Sequence, residues 1–148
     1  MKSMHRSGLR QDVKGQAAVE ALLVLLLFVL VIFAGIELSR GIAIRHALDS
    51  STSAAARALS LDPSNWQVAD GLVQDGLQRN VMGFADSATL TIYDASGTQR
   101  SSAWFSGSPF GTPFVLEASA PFQADIPFMQ EPLLQICVQH WGIVERYP

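Results

Sequence analysis

The sequence predicts an α+β protein in which one long N-terminal helix packs on a small antiparallel β-sheet head with one further short helix. Residues 17–36 form an apolar run with a single charge, residues 44–60 continue it with a helical apolar stripe, and segments after Gly83 alternate apolar and polar side chains. A period near 3.6 indicates helix and a period of two indicates strand. The chain therefore divides into a leader (1–15), a helix (16–60) and a head (61–148).

The apolar run from Ala17 to Ile36 can cross a membrane, because about twenty helical residues at 1.5 Å each span the hydrocarbon core. Its only charge is Glu20. By the positive-inside rule, the N-terminus is predicted to be cytoplasmic and the head to be periplasmic, with one span in a bacterial inner membrane. The rule applies because the leader holds one acid, Asp12, against Lys2, Arg6, Arg10 and Lys14.

A cleaved secretory signal also combines a basic flank with an apolar run. Here the run is longer than a typical signal, and the nearest small-residue cleavage site, Gly41-Ile42-Ala43, is weak. Helical periodicity also continues past the run. An uncleaved single-pass anchor explains the hydropathy better, but it leaves Glu20 unexplained, since a charge within a membrane helix costs a few kcal/mol on insertion scales.

Beyond the membrane the helix is predicted to continue to about Ser60, giving a length of about 65 Å. An apolar stripe runs along it, while His46, Asp49, Arg57 and Ser60 lie opposite. The stripe is predicted to pack on the protein's own head, with docking to neighbouring subunits as the alternative. Its members are Ile44, Ala47, Leu48, Ser51, Ala55, Ala58 and Leu59.

Asp62-Pro63 is predicted to end this helix, because proline disfavours helical geometry in the residue before it. A second helix follows, capped by Ser64 or Asn65, and Gly71 and Gly76 weaken it. One face repeats at helical spacing through Trp66, Ala69, Val73, Leu77 and Val81.

The remaining residues predict a single antiparallel sheet on the long helix. Ala88–Tyr93 alternates, Asp94–Gly97 has turn chemistry, and a partner strand resumes near Gln99, which indicates a hairpin. Two further strands are predicted at 114–120 and 134–140. The Pro-, Gly- and Phe-rich segments 106–113 and 121–132 are predicted to be loops.

The search for chemistry gives little. His5, His46 and His140 form no HxxxH pair, and Cys137 has no second cysteine, so no zinc site is predicted. On strand geometry we expect Cys137 in the core and His140 at the surface. The turn beginning at Asp94 lacks the later acidic ligands of a calcium loop. Without nucleophile, phosphate or dinucleotide motifs, we expect neither an enzyme nor a cofactor.

Charge also limits the partners. The whole chain is −3, and residues 16–148, with six arginines and twelve acids, are −6. A mature protein this acidic has no basic stripe for nucleic acid.

Glu20 is the fifth residue after Gly15, at the head of the apolar run. This arrangement resembles the prepilin-peptidase site of type IV pilin-like proteins. Within that superfamily, residues 14–60 are similar to the TadE-like minor pilins, or pseudopilins, of tight-adherence (Flp) pili. The segments that carry the similarity are Val19-Glu20-Ala21-Leu22, residues 35–41, residues 45–49 and residues 54–58. Two departures are Ala21, where an aromatic is common, and the missing proline in the apolar run.

The resemblance implies cleavage between Gly15 and Gln16 by an inner-membrane prepilin peptidase, which leaves Gln16 with a free amine. Glu20 would then pair with such an amine, on this or a neighbouring subunit, and set the register between subunits; a buried charge is tolerable only when it is paired. The implied partners are the peptidase, other pilin-like subunits and the pilus assembly machinery.

Two functions remain open. The first is a processed minor pilin that acts in tight-adherence pilus assembly. The second is an unprocessed single-pass protein with a periplasmic partner-binding head, in which Glu20 is an acid that reaches toward the headgroups. A membrane-anchored hydrolase is a distant third.

Overall fold

The computed structural model describes residues 9–81, 87–125, 127 and 133–145, with side chains from Gly15 onward except those of 80, 81 and 133. Lys2, His5 and Arg6, and the side chains of Arg10, Asp12, Lys14 and Val81, lie outside this description. The described elements confirm the predicted α+β class. In chain order they are α1 (Leu9–Leu61), α2 (Trp66–Val81), β1 (Thr89–Asp94), β2 (Gln99–Arg100), α3 (Ser102–Ser106), β3 (Pro113–Gln123) and β4 (Leu133–Ile143).

Helix α1 is continuous over 53 residues, so it is about 80 Å long. It begins at Leu9, seven residues before the predicted start, and residues 9–15 contain no proline that would prevent this extension. It ends one residue before Asp62-Pro63. The Asp62 carboxylate then accepts hydrogen bonds from the amide and hydroxyl of Ser64, at 3.2 and 2.6 Å. This turn separates α1 from α2.

Helix α2 packs on the outer half of α1. Ala69, Val73 and Leu77 are buried along its predicted apolar face, and Trp66 packs against the core. At Gly76 the two helices approach so closely that an added Cβ would lie 2.5 Å from the Cβ of Ser51. The glycine that weakens α2 as an isolated helix therefore permits its packing on α1.

The sheet has the order β2-β1-β3-β4, and every neighbouring pair is antiparallel. The predicted hairpin joins β1 to β2 through Gly97, whose φ of 79° favours glycine. Strand β3 is longer than predicted, since Pro113 and Pro121–Gln123 belong to it. The pairing of β3 with β1 ends at Ser119, so among the described residues Pro121 pairs only with β4, and its missing N–H is tolerated at such an edge position.

The short helix α3 was not predicted. The Ser101 side chain caps it by accepting a hydrogen bond from the Trp104 amide at 3.2 Å. Phe105 is fully buried, and its ring meets that of Phe114 edge to face with 4.7 Å between centroids. Five residues are too short to produce a helical period in the sequence.

The core lies between one face of the sheet and the two long helices. Alternate residues of β3 supply it, namely Phe114, Leu116, Ala118, Ala120 and Phe122. Strand β4 runs alongside α1, and beyond its end the Glu145 amide donates to the Ser60 carbonyl at 2.7 Å. This bond ties the end of the head to the end of α1.

Candidate functional site

Gly15 and Gln16 lie on the exposed surface of α1, well inside its first turns. A Cβ added to Gly15 would meet nothing within 4 Å. Gln16 and Glu20 are four residues apart, so they lie on the same side of the helix, one turn from each other. The predicted scissile bond and the predicted pairing carboxylate are thus neighbours on one open helix surface.

Glu20 is exposed, and no side chain in the described part of the chain pairs with it. The residues around it form a shallow apolar depression lined by Ala17, Ala21, Val24, Leu25 and Phe28. Among the described residues, this carboxylate has apolar neighbours and no counter-charge. Within a bilayer, such a charge is tolerable only when it is paired.

The segment around Glu20 exposes apolar side chains all the way round. Leu22, Leu23, Leu25, Leu27 and Phe28 are each at least 61% exposed, and the apolar window is not buried by the rest of the protein. It is the one helix, among the described residues, with the length and composition to cross a membrane. A run of this kind fits a single-pass membrane anchor, since water would be a poor solvent for it.

The packing stripe on α1 faces the protein's own head. Ile44, Leu48, Ala55 and Leu59 have no exposed surface, and Ala47 and Ser51 are also buried, whereas Ala58 is half-buried. The structure adds Thr52, Ala56 and Ser60 to the buried side. Ser60 was expected opposite the stripe; it is buried because the end of the head folds back on it.

Glu37 and Arg40 lie in the segment 35–41 that carries the family resemblance, but sequence reasoning gave them no role. Glu37 is only 6% exposed, and its Oε1 accepts from Arg40 Nη1 at 2.6 Å. The pair lies immediately beyond the apolar run, where the head first meets α1. Opposite charges three residues apart at the end of a membrane span were the available signal.

Cys137 and His140 reverse the predicted arrangement. Cys137 is exposed, while His140 turns toward α1 and its Nε2 lies 3.0 Å from Asp49 Oδ1. The two side chains lie on opposite faces of β4, as strand alternation predicts. The face assigned to the core was wrong: Val138 is buried, so His140 lies on the core side of β4 and Cys137 on the other side. Within the described ranges, no three His, Cys, Asp or Glu side chains cluster as a metal site would require.

The turn at Asp94 uses its carboxylate internally. Asp94 accepts hydrogen bonds from the Ser96 hydroxyl and from the amides of Ser96 and Thr98, and it pairs with Arg100 at 2.8 Å. The Ser96 and Thr98 hydrogen bonds hold the pKa of Asp94 well below its usual range. This carboxylate stabilises the β1–β2 hairpin.

Comparison with known proteins adds one match. Residues 15–57 match the family described as "TadE-like protein". This match confirms the resemblance to TadE-like proteins of the tight-adherence pilus system. The match begins at Gly15, includes Glu20 and Glu37, and ends within the buried half of α1. No curated protein and no solved structure matches the chain. The sheet and α2 lie outside the matched segment.

Proposed function

We propose, from the TadE-like match over residues 15–57, that this chain is a membrane-anchored minor pilin, or pseudopilin, of the tight-adherence apparatus. A prepilin peptidase cuts between Gly15 and Gln16, the N-terminus faces the cytoplasm, and the head lies in the periplasm. In this role the chain catalyses no reaction and needs no cofactor. It contributes a helix and a head to an assembly of pilin-like subunits.

One observation carries the proposal: Gly15 and Glu20 lie at the head of the exposed apolar segment of α1, at the start of the matched segment. The open surface around Gly15 suits access by a membrane-bound peptidase. The absence of a described internal partner for Glu20 suits a carboxylate that pairs with an amine created by cleavage. The basic leader keeps the uncleaved N-terminus on the cytoplasmic side.

Glu20→Ala tests the pairing. Removing one partner of a buried ion pair costs roughly 3 kcal/mol, so co-purification with other pilin-like subunits should fall at least about tenfold while membrane insertion is kept. Asp75→Ala, which removes an exposed acid of α2, is the matched control and should leave co-purification unchanged. Undiminished co-purification and pilus formation by Glu20→Ala would show that Glu20 does not set the register.

A further inference from the structure

A cleft lies where α1 leaves the apolar span and meets the head. One wall is α1 from Ala34 to Arg45, and the other is formed by Phe122 at the end of β3 and Ile136 near the start of β4. Its volume is about 610 Å³. Because Ala34 belongs to the apolar run, the mouth of the cleft opens at the depth where lipid headgroups begin.

Glu37 gives this cleft an incompletely bonded carboxylate. Its Oε1 accepts from Arg40, but its Oε2 is buried and has no hydrogen-bond partner among the described residues. An ionised carboxylate offers about four acceptor sites, and a buried acceptor left without a donor is costly. The terminal torsion of glutamate is soft, so a small rotation can turn Oε2 to a donor that enters the cleft. The chemistry that fits is a positively charged N–H group.

Arg45 gives the same cleft a positive charge. It lies two turns beyond Glu37 on the same side of α1, is exposed, and lines the cleft. In the described part of the chain, no carboxylate lies within ion-pair distance of it. Long helical side chains lean toward the helix N-terminus, which here is the membrane side. The Glu37 carboxylate, which can bind a cation, and the Arg45 guanidinium, which can bind an anion, therefore line the same largely apolar cleft.

We propose that this cleft binds a phospholipid whose headgroup carries a primary ammonium, as in phosphatidylethanolamine. The ammonium donates to Glu37 Oε2, and the phosphate contacts the Arg45 guanidinium, which leans toward the membrane side of α1. A choline headgroup has no N–H to donate, and a glycerol headgroup has no positive charge. The site depends on α1 spanning a bilayer and is independent of cleavage after Gly15.

The test is native mass spectrometry of the full-length chain extracted from equal amounts of ethanolamine, choline and glycerol phospholipids with identical acyl chains. The ethanolamine lipid should be retained roughly tenfold over the choline lipid, as expected for a charge-assisted hydrogen bond. Glu37→Gln keeps the shape of the side chain and should abolish this preference. Arg45→Gln should lower retention of all three lipids, whereas Arg57→Gln, on the same helix but in another groove, should change nothing.

Equal retention of the three lipids by the unmodified chain would overturn the proposal, and so would an unchanged preference in Glu37→Gln. If circular dichroism shows that Glu37→Gln misfolds, a fluorophore on Cys137 decides instead. Cys137 is the single cysteine, is exposed and lines the cleft. Its emission in nanodiscs should shift when ethanolamine lipid replaces choline lipid, and an identical spectrum in the two lipids would contradict the site.

Discussion

Two glutamates on α1 have opposite surroundings. Glu20 lies exposed among apolar side chains within the span, whereas Glu37 is buried at the end of the span and paired with Arg40. The counter-charge of Glu37 is supplied within the chain by Arg40. Glu20 lacks any such internal partner in the described structure, and this difference is why the assembly role is proposed for Glu20 and not for Glu37.

The charge of Asp94 should stabilise the head in a pH-dependent way. Its pKa is lowered in the folded protein, so its contribution is complete above the unfolded pKa of about 3.9 and is lost as pH falls toward the folded value. Asp94→Asn keeps a neutral acceptor and removes the charge. Its unfolding midpoint in urea should lie below that of the unmodified chain at pH 7, and the difference should shrink below about pH 4.

All three tryptophans lie in the head, so their fluorescence follows this unfolding without a signal from the span. Asp75→Asn is the control, because an exposed helix pair of this kind contributes at most about 0.5 kcal/mol. A difference between Asp94→Asn and the unmodified chain that stays constant from pH 7 to pH 2 would contradict the role given to the charge.

At the scale of elements, Gly71 and Gly76 of α2 allow the effect of helix propensity on stability to be measured apart from the effect of packing. Gly71→Ala adds a methyl group in open space and should stabilise the head by roughly 0.5–1 kcal/mol. Gly76→Ala gains the same propensity but places its Cβ 2.5 Å from the Cβ of Ser51, so it should be destabilising by about 1–3 kcal/mol.

Urea unfolding of both variants, followed by tryptophan fluorescence, measures these changes. The account requires opposite signs for the two substitutions. Equal stabilisation by both alanines would mean that α1 and α2 do not approach as closely at Gly76 as the structure places them.

The elements with long, regular periods were predictable, and those fixed by distant contacts were not. The apolar run, the helical stripe from Ile44 to Leu59 and the hairpin around Gly97 are each local patterns, and local periodicity carries them. Helix α3 depends on Phe105 reaching Phe114, and the extension of β3 through Pro121 depends on where β1 ends. Such contacts join residues that are far apart in the chain, so the periodicity of apolar residues within one segment does not predict them.

The same limit applies to single residues in the candidate site. The positions of Gln16 and Glu20, one turn apart on a single helix, follow from their spacing alone. Gly15 was expected to precede that helix, but it lies within α1. To place Cys137 and His140 on the correct faces of β4, one must know which face of that strand packs on α1. That face is fixed by contacts between distant residues, such as the one between His140 and Asp49, which are 91 positions apart. The burial of Glu37 likewise depends on the head closing over the end of the span.

At the scale of the whole molecule, the chain combines a helix that needs lipid with a head that supplies its own core. The outer half of α1 belongs to that core through Ile44, Leu48 and Leu59, while the inner half exposes apolar side chains on every side. One continuous helix therefore carries both the exposed apolar segment and part of the core of the head.

The most direct test of the account is the intact mass of the protein extracted from membranes with and without an active prepilin peptidase. The account predicts that the peptidase removes the mass of residues 1–15 and leaves Gln16 as the new N-terminus, and that Gly15→Ala reduces this loss. An unchanged full-length chain in the presence of the active peptidase would contradict it and would return Glu20 to the role of an unpaired acid near the membrane surface.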